Sequence, residues 1–311
     1  MALVIFLAAA IQAGTPLLFA TLGEILTEKS GNLNLGVEGL MLIGAVMGFL
    51  VGHHSQSPVL AMAAAAAGGA FGALIFALLT VTMRANQVVT GLSITILGSG
   101  ISGFIGQTLV GQVLPETFTD FFNPIKIPLL GDIPVLGRLL FNHNIYVYLG
   151  LFTAVLLTAY LFKSKLGLNL RVIGENPYAA DASGINVDLY KYIHILLGGA
   201  LCGLGGAYLS LVYVPAWQEN VTAGRGWIAV ALVIFCSWHP VKAIFGSYLF
   251  GGLDIVGFRI QQMGIPISQY LIDMLPYLVT ILVLVYDSTR KKGAAKAPEA
   301  LSVPYFREER H

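Results

Sequence analysis

The residues with chemistry to offer are few, and they sit where polar groups cost most. The segment Gly31-Asn32-Leu33-Asn34-Leu35-Gly36-Val37-Glu38-Gly39 sets two amides and a carboxylate among glycines at the mouth of an apolar stretch. Asn34 and Glu38 are four positions apart, so a helix would present them on one face. A polar group inside a membrane span has to be paired or to face water. Two compatible roles follow: capping the freed backbone of a broken helix, or lining a solute path. A second concentration is Asn86-Gln87-Val88-Val89-Thr90-Gly91, just after Arg84. Asn86 has the side chain of a helix cap. Asn32, Asn34, Glu38, Asn86, Gln87 and Thr90 are the candidate path residues. A third polar stretch, 215–227, holds Trp217, Gln218, Glu219, Asn220 and Trp227. Rings beside amides suit a stacking ligand such as a base or sugar, and they equally suit an interfacial aromatic belt.

A different chemistry is expected of residues 163–191, from Lys163 to Lys191. This loop reads like soluble protein, basic and amphipathic, in a chain that is otherwise mostly apolar. Pro177 opens a short Ala-rich helix that runs to Ala182, and Ser183-Gly184 ends it. Such a segment is kept to touch an external partner. A rigid short helix held in a partner's groove transmits rigid-body motion.

The elements that must position these residues are membrane helices. The chain has 311 residues, 56% of them hydrophobic and 11% charged, against about a quarter charged in soluble domains. Its mean hydropathy is +0.79. A bilayer crossing needs about 20 apolar residues. Candidate spans are 2–26, 33–52, 58–82, 87–106, 144–162, 192–213, 227–237, 242–258 and 270–286. The expected fold is all-α and polytopic, about nine spans with broken or re-entrant helices. The start, Met1 to Ala13, lacks a basic flank and reads as a first span rather than a cleaved signal.

Charge sets the orientation. With 163–191 and the tail placed inside, only Lys126, Arg138, Arg225 and Arg259 of the 17 Lys and Arg lie outside. The N-terminus is then out and the C-terminus in. Residues 227–237 supply only about 16 Å of helix at about 1.5 Å per residue. They meet Trp238-His239-Pro240, where proline breaks the helix. Residues 227–258 are therefore either two short crossing helices or a re-entrant hairpin. Residues 1–287 form one transmembrane domain, with an extracytoplasmic loop at 107–143. Residues 288–311 are expected to be a disordered cytoplasmic tail.

Glycine is abundant, at 36 residues, and runs such as 68–73 and 198–207 place small residues at helical spacing. Close helix packing is the expected use. Cys202 and Cys236 lie in apolar runs and read as buried free thiols. No Gly-x-x-x-x-Gly-Lys-Ser/Thr, His-Glu-x-x-His or Gly-x-Ser-x-Gly occurs. Catalysis within this chain, a cofactor and a metal site are not expected. Energy for transport would come from a partner or an ion gradient. An ion-coupled secondary transporter is the rival of another class.

In order along the chain, several stretches resemble one family. Gly23-Glu24-Ile25-Leu26-Thr27-Glu28-Lys29-Ser30-Gly31-Asn32-Leu33-Asn34-Leu35-Gly36-Val37-Glu38-Gly39-Leu40-Met41 is similar to the opening signature of ABC importer permeases of the nucleoside and simple-sugar type. The wider group includes ribose and branched-chain amino-acid permeases. Asn86 to Leu92 resembles the second signature, and Arg171 to Ile185 the cytoplasmic coupling segment. Gly224 to Phe235 and Phe250-Gly251-Gly252-Leu253-Asp254 complete the resemblance, which runs from about residue 12 to 287. Ser237-Trp238-His239-Pro240 is bulkier than the family pattern at that break. The resemblance implies a permease subunit in a prokaryotic cell membrane, importing nucleosides, or else simple sugars or flavin- or purine-like solutes. It implies a second related permease, a cytoplasmic tandem-domain ATPase and an extracytoplasmic substrate-binding lipoprotein as partners. Membrane lipid surrounds the chain, and no nucleic acid polymer is expected. Contact with the ATPase is expected through Arg171, Glu175, Asn176, Pro177, Ala180 and Gly184.

Overall fold

Helices dominate the computed structural model, which describes residues 2–126, 128, 131, 133, 135–262, 268, 271, 274–289 and 297–307. First come α1 (Ala2–Lys29), α2 (Val37–Ser55), α3 (Pro58–Ala77) and α4 (Gln87–Gly106). A π-helical turn, Leu78–Thr82, extends α3. The connection to α7 (Ile145–Lys163) carries the short helices α5 (Glu116–Thr119) and α6 (Leu136–Leu140). It also carries an antiparallel pair of two-residue strands, β1 (Ile125–Lys126) with β2 (Asn142–His143). Next are α8 (Lys165–Glu175), α9 (Pro177–Ala182) and α10 (Val187–Tyr208), extended by a π-helical turn at Leu209–Tyr213. The chain continues through α11 (Arg225–Phe235), α12 (Pro240–Gln262) and α13 (Leu275–Thr289).

Among the described residues, six helices are long and apolar enough to cross a membrane. They are Leu3–Lys29, Val37–Ser55, Pro58–Thr82, Gln87–Gly106, Ile145–Lys163 and Val187–Tyr213. The chain is a multi-pass membrane protein. The expected second span, 33–52, begins only at Val37, because Thr27 to Gly36 closes α1 in turns with Gly31 at φ +84°. α11 has 11 residues, half a bilayer's worth, and α12 has 23 but carries Lys242, Asp254 and Arg259. Part of the expected ninth span, 270–286, lies outside the described residues.

The interior is built on backbone contact. α2, α3 and α10 meet at Gly44, Gly69, Gly199 and Gly203. A Cβ on Gly203 would collide with the Ala65 carbonyl, and one on Gly44 with the Gly203 backbone. In lipid, helices gain little from hydrophobicity alone, so close packing of small residues holds them together. Larger side chains pack together elsewhere in the bundle: Phe19, Phe49, Tyr146, Tyr208 and Trp217 form one buried cluster. Trp217 is 2% exposed, with its ring 5.8 Å from that of Phe49. It is a core residue, neither a belt residue nor a stacking platform. The 107–143 connection is anchored to the same cluster through Phe118 and Phe122. Cys202 and Cys236 are free and buried.

Part of the segment expected to be a disordered tail packs against the helices. Residues 288 and 289 belong to α13, and residues 297–307 return to pack beside α8 and α9. Tyr305 is only 8% exposed there. Burial of this ring and of Ala300, with the backbone bonds to Gly174 and Glu175, offsets part of the cost of ordering the segment.

Candidate functional site

The break between α1 and α2 is held by side chains, donor by donor. Backbone polar groups away from water need partners. The Leu33 amide donates to Gln87 Oε1 at 2.7 Å, and the Asn34 amide to Glu24 Oε1 at 3.0 Å. The Gly36 amide donates to Asn34 Oδ1 at 2.9 Å. Thr95 Oγ1 donates to the Leu35 carbonyl at 3.0 Å. Asn32 is buried, its Oδ1 accepting from Ser30 Oγ at 3.4 Å. Thus α1 and α4 clamp the non-helical loop from both sides.

Glu38 spans from this loop to a distant one. Its Oε1 accepts from Thr222 Oγ1 at 2.5 Å and from the Gly224 amide at 2.8 Å. Its Oε2 accepts from the Gly226 amide at 2.6 Å. The carboxylate is 5% exposed and sits at the N-terminus of α11, where the helix leaves amides unpaired and carries partial positive charge. Next to it, Arg225 pairs with Asp254 at 3.5 Å. α11 is therefore a half-length helix whose head is capped by α2. Its tail meets α1 at the other end: Trp238 Nε1 donates to Glu28 Oε2. The Trp238 turn contains two consecutive left-handed residues, Ser237 at φ 51° and Trp238 at φ 53°. The bulky break noted in the sequence is thus a buried anchor.

The expected path residues divide by environment. Asn34, Gln87 and Glu38 are buried and bonded to backbone, and Thr90 is buried on α4. Asn86 is exposed and caps α4 through the Val89 amide at 3.0 Å. An open cavity of about 270 Å³ lies elsewhere, between α2, α4 and the 214–224 loop. Its walls include Ser99, Ser102, Gly103, Gln107, Glu219 and Asn220, and none of the six expected residues. Ser99 sits seven residues short of Gly106, about 10 Å inside the end of α4. Glu219 and Gln107 are exposed here, so a carboxylate and amides face outward beside a membrane span. The signal for this face is the spacing of Ser99, Ser102, Gly103 and Gln107 at i, i+3, i+4 and i+8.

Near the C-terminal end of α1 lies the segment read as a docking element. Ser164 caps α8 through the Gly167 amide at 2.9 Å, and Asn176 caps α9 through the Ala179 amide at 2.9 Å. Pro177 opens α9 and is buried with Ala180, and Gly184 leaves it at φ +80°. Gly174 sits against the Lys29 carbonyl with no room for a Cβ. The Arg171 guanidinium lies 5.4 Å from the Phe162 ring, and Glu175 Oε2 accepts the Glu299 amide at 3.3 Å. α8 therefore bears on α1 at Lys29, next in the chain to Glu28 and little more than a turn from Glu24. Those two carboxylates hold the Trp238 turn and the Asn34 loop.

Comparison with known proteins gives the same outline. A family described as "Branched-chain amino acid transport system / permease component" matches residues 6–284. TsgC13 of Haloferax volcanii, an ABC transporter permease protein with glucose as its provisional solute, is 36% identical over 96% of this chain and 97% of its own. The guanosine ABC transporter permease protein NupQ of Bacillus subtilis is 36% identical over 98% of each chain. The nucleoside ABC transporter permease protein NupC of Lactococcus lactis is 34% identical over 94% of each.

Proposed function

The chain belongs to the branched-chain amino acid transport permease family, and on that footing we propose that it is a membrane-spanning permease subunit of an ATP-driven nucleoside importer. The observation that carries the solute is the full-length similarity to permeases named for guanosine and nucleosides. The provisional glucose relative keeps simple sugars as the second reading. The protein sits in a prokaryotic cell membrane with its N-terminus out and its C-terminus in. Counting α11, α12 and α13 as crossings brings the total to nine spans. α11 and α12 cross separately rather than forming one re-entrant hairpin; the buried Trp238 turn at the inner end of α1 supports this.

Energy enters from a separate ATPase that docks on α9. The contact residues are Arg171, Glu175, Asn176, Pro177, Ala180 and Gly184. Motion passes from α8 to the end of α1, and from Glu24, Glu28 and Trp238 to the loop and half-helix they hold. The expected path residues act on solute through this frame: Asn32, Asn34, Glu38, Gln87 and Thr90 brace the wall, and Asn86 caps it. The solute itself passes along the polar cavity at Ser99, Ser102, Gln107 and Glu219. A second related permease closes this open polar face into a watered path. A binding lipoprotein delivers solute from outside. The path binds weakly, since tight binding would hinder release.

The test is uptake by the reconstituted importer, offered guanosine, ribose, glucose and leucine. Guanosine uptake that needs ATP and collapses in Gly103→Phe is expected. A Cβ at Gly103 meets no atom of this chain within 4 Å, so a ring can extend into the path without disturbing the packing. Uptake of sugars but not guanosine would overturn the solute, and normal guanosine uptake by Gly103→Phe would overturn the path.

A further inference from the structure

The returning tail adds a second layer to the proposed docking face. Its backbone joins α8 where the Ala300 amide donates to the Gly174 carbonyl at 2.9 Å. The Glu299 amide adds the bond to Glu175. Tyr305 packs among Ile173, Ala180 and Val187, with its ring 5.2 Å from that of Tyr178 on α9. Burial, with Asp181 beside it, pushes the Tyr305 phenol up to about 12, so it remains neutral. Arg307 pairs with Asp181 at 3.5 Å, and the Arg84 guanidinium covers the Phe306 ring at 4.6 Å. Residues 297–307 thus strap α8 and α9 to the α3–α4 turn.

Between the strap and α9 lies an open groove of about 270 Å³. Asp181, Gly184, Asn186, Asp188, Tyr305 and Arg307 form its walls. Asp188 is exposed and opens α10. Two carboxylates face the groove against one guanidinium, and that guanidinium is the weaker hold, since its side chain is 77% exposed. An exposed ion pair of this kind is readily displaced.

We infer that this strap is part of the ATPase docking surface, and that the groove takes a cationic side chain of the ATPase between Asp181 and Asp188. The inference rests on the reading of α9 as the docking helix. The groove is continuous with α9, so a partner seated on α9 reaches it. Its excess negative charge selects Lys or Arg over an acidic or apolar residue. Arg307 fills the position of that cation while the ATPase is away and swings aside when it binds.

The test uses the full complex in lipid nanodiscs. Asp188→Lys reverses an exposed charge, and it is expected to weaken ATPase association at least tenfold while the permease pair stays assembled. Arg307→Ala removes the competing cation and should leave association equal or stronger. A photoactivatable amino acid in place of Arg307 should crosslink to the ATPase. Gly184→Trp serves as the control on α9 itself. Undiminished association of Asp188→Lys, with no crosslink from position 307 and with Gly184→Trp impaired, would overturn the strap and spare the docking helix. Undiminished association in both variants would overturn the docking helix as well.

Discussion

Glu38 Oε2 lies 2.6 Å from the Gly226 amide nitrogen, so one carboxylate at the start of α2 holds the head of α11. The same side chain takes the Thr222 hydroxyl and the Gly224 amide. α11 has 11 residues, half a bilayer's worth, and the amides at the head of such a helix need partners inside the protein. Glu38 does this from a helix that also borders the polar cavity through Leu42.

Replacing Glu38 tests the cap directly. Glu38→Ala leaves three donors without an acceptor, and each buried orphan costs about 1–3 kcal/mol. A clear fall in melting midpoint in nanodiscs is expected, with uptake lost. Glu38→Gln keeps one acceptor and should fall between that variant and the parent. Equal midpoints for all three proteins would remove Glu38 as the cap.

The loop before α2 makes a graded prediction. Gln87→Ala orphans the Leu33 amide and Asn34→Ala the Gly36 amide, each costing about 1–3 kcal/mol. Asn86→Ala removes only an exposed cap, worth about 1 kcal/mol. Uptake and thermal stability should therefore suffer more from the first two. A larger loss from Asn86→Ala would mean that Asn86 contacts solute.

Backbone contact in the interior is testable by volume. Gly203→Val forces the Ala65 carbonyl and Gly69 away, and overpacking of this kind costs about 1–3 kcal/mol or more. Loss of monodisperse protein is expected on size-exclusion chromatography. Gly100→Ala meets nothing within 4 Å and should behave like the parent. Normal yield of Gly203→Val would show that the three helices do not need to touch there.

At α9 the cap matters for transmission. Asn176→Ala removes the bond to the Ala179 amide and costs about 1 kcal/mol of helix stability. Solute-stimulated ATP hydrolysis by the assembled importer should drop several-fold, and Asn176→Asp should restore it. Unaltered stimulation by Asn176→Ala would show that α9 is held by its partner alone.

Orientation is checkable without transport. On a background lacking Cys202 and Cys236, a cysteine at Ser288 should label from the cytoplasm and one at Thr117 from outside. A cysteine at Lys242, in the first turn of α12, should label from the cytoplasm if α11 and α12 cross separately. Reversed labelling at Ser288 and Thr117 would overturn the topology, and a silent Lys242 position would restore the hairpin.

Local features are legible in the residues themselves. The 87–106 span coincides with α4, and Pro177 to Ala182 with α9. Gly184 leaves α9 in the left-handed region that its residue type suits. The candidate site is half legible. Asn34 and Gln87 stand out as costly polar residues, but their partners, the Gly36 and Leu33 amides, are backbone groups of a kind found all along the chain. Trp217 misleads for a related reason. A ring beside amides looks the same in sequence whether it faces ligand or core, and burial against Gly106 decides the matter.

Hydrophobic run length, prolines and capping side chains act within a few residues. They suffice for the membrane class, most helix boundaries, the break at Trp238-His239-Pro240 and the short helix at Pro177, all of which can be read along the chain. What Glu38 holds, where the polar cavity opens and where the tail returns depend instead on tertiary packing. Glu38 and Gly226 are 188 positions apart, and Glu175 and Glu299 are 124 apart. Contacts of that separation depend on how helices pack, and here the glycine runs show along the chain that helices approach closely but not which run meets which.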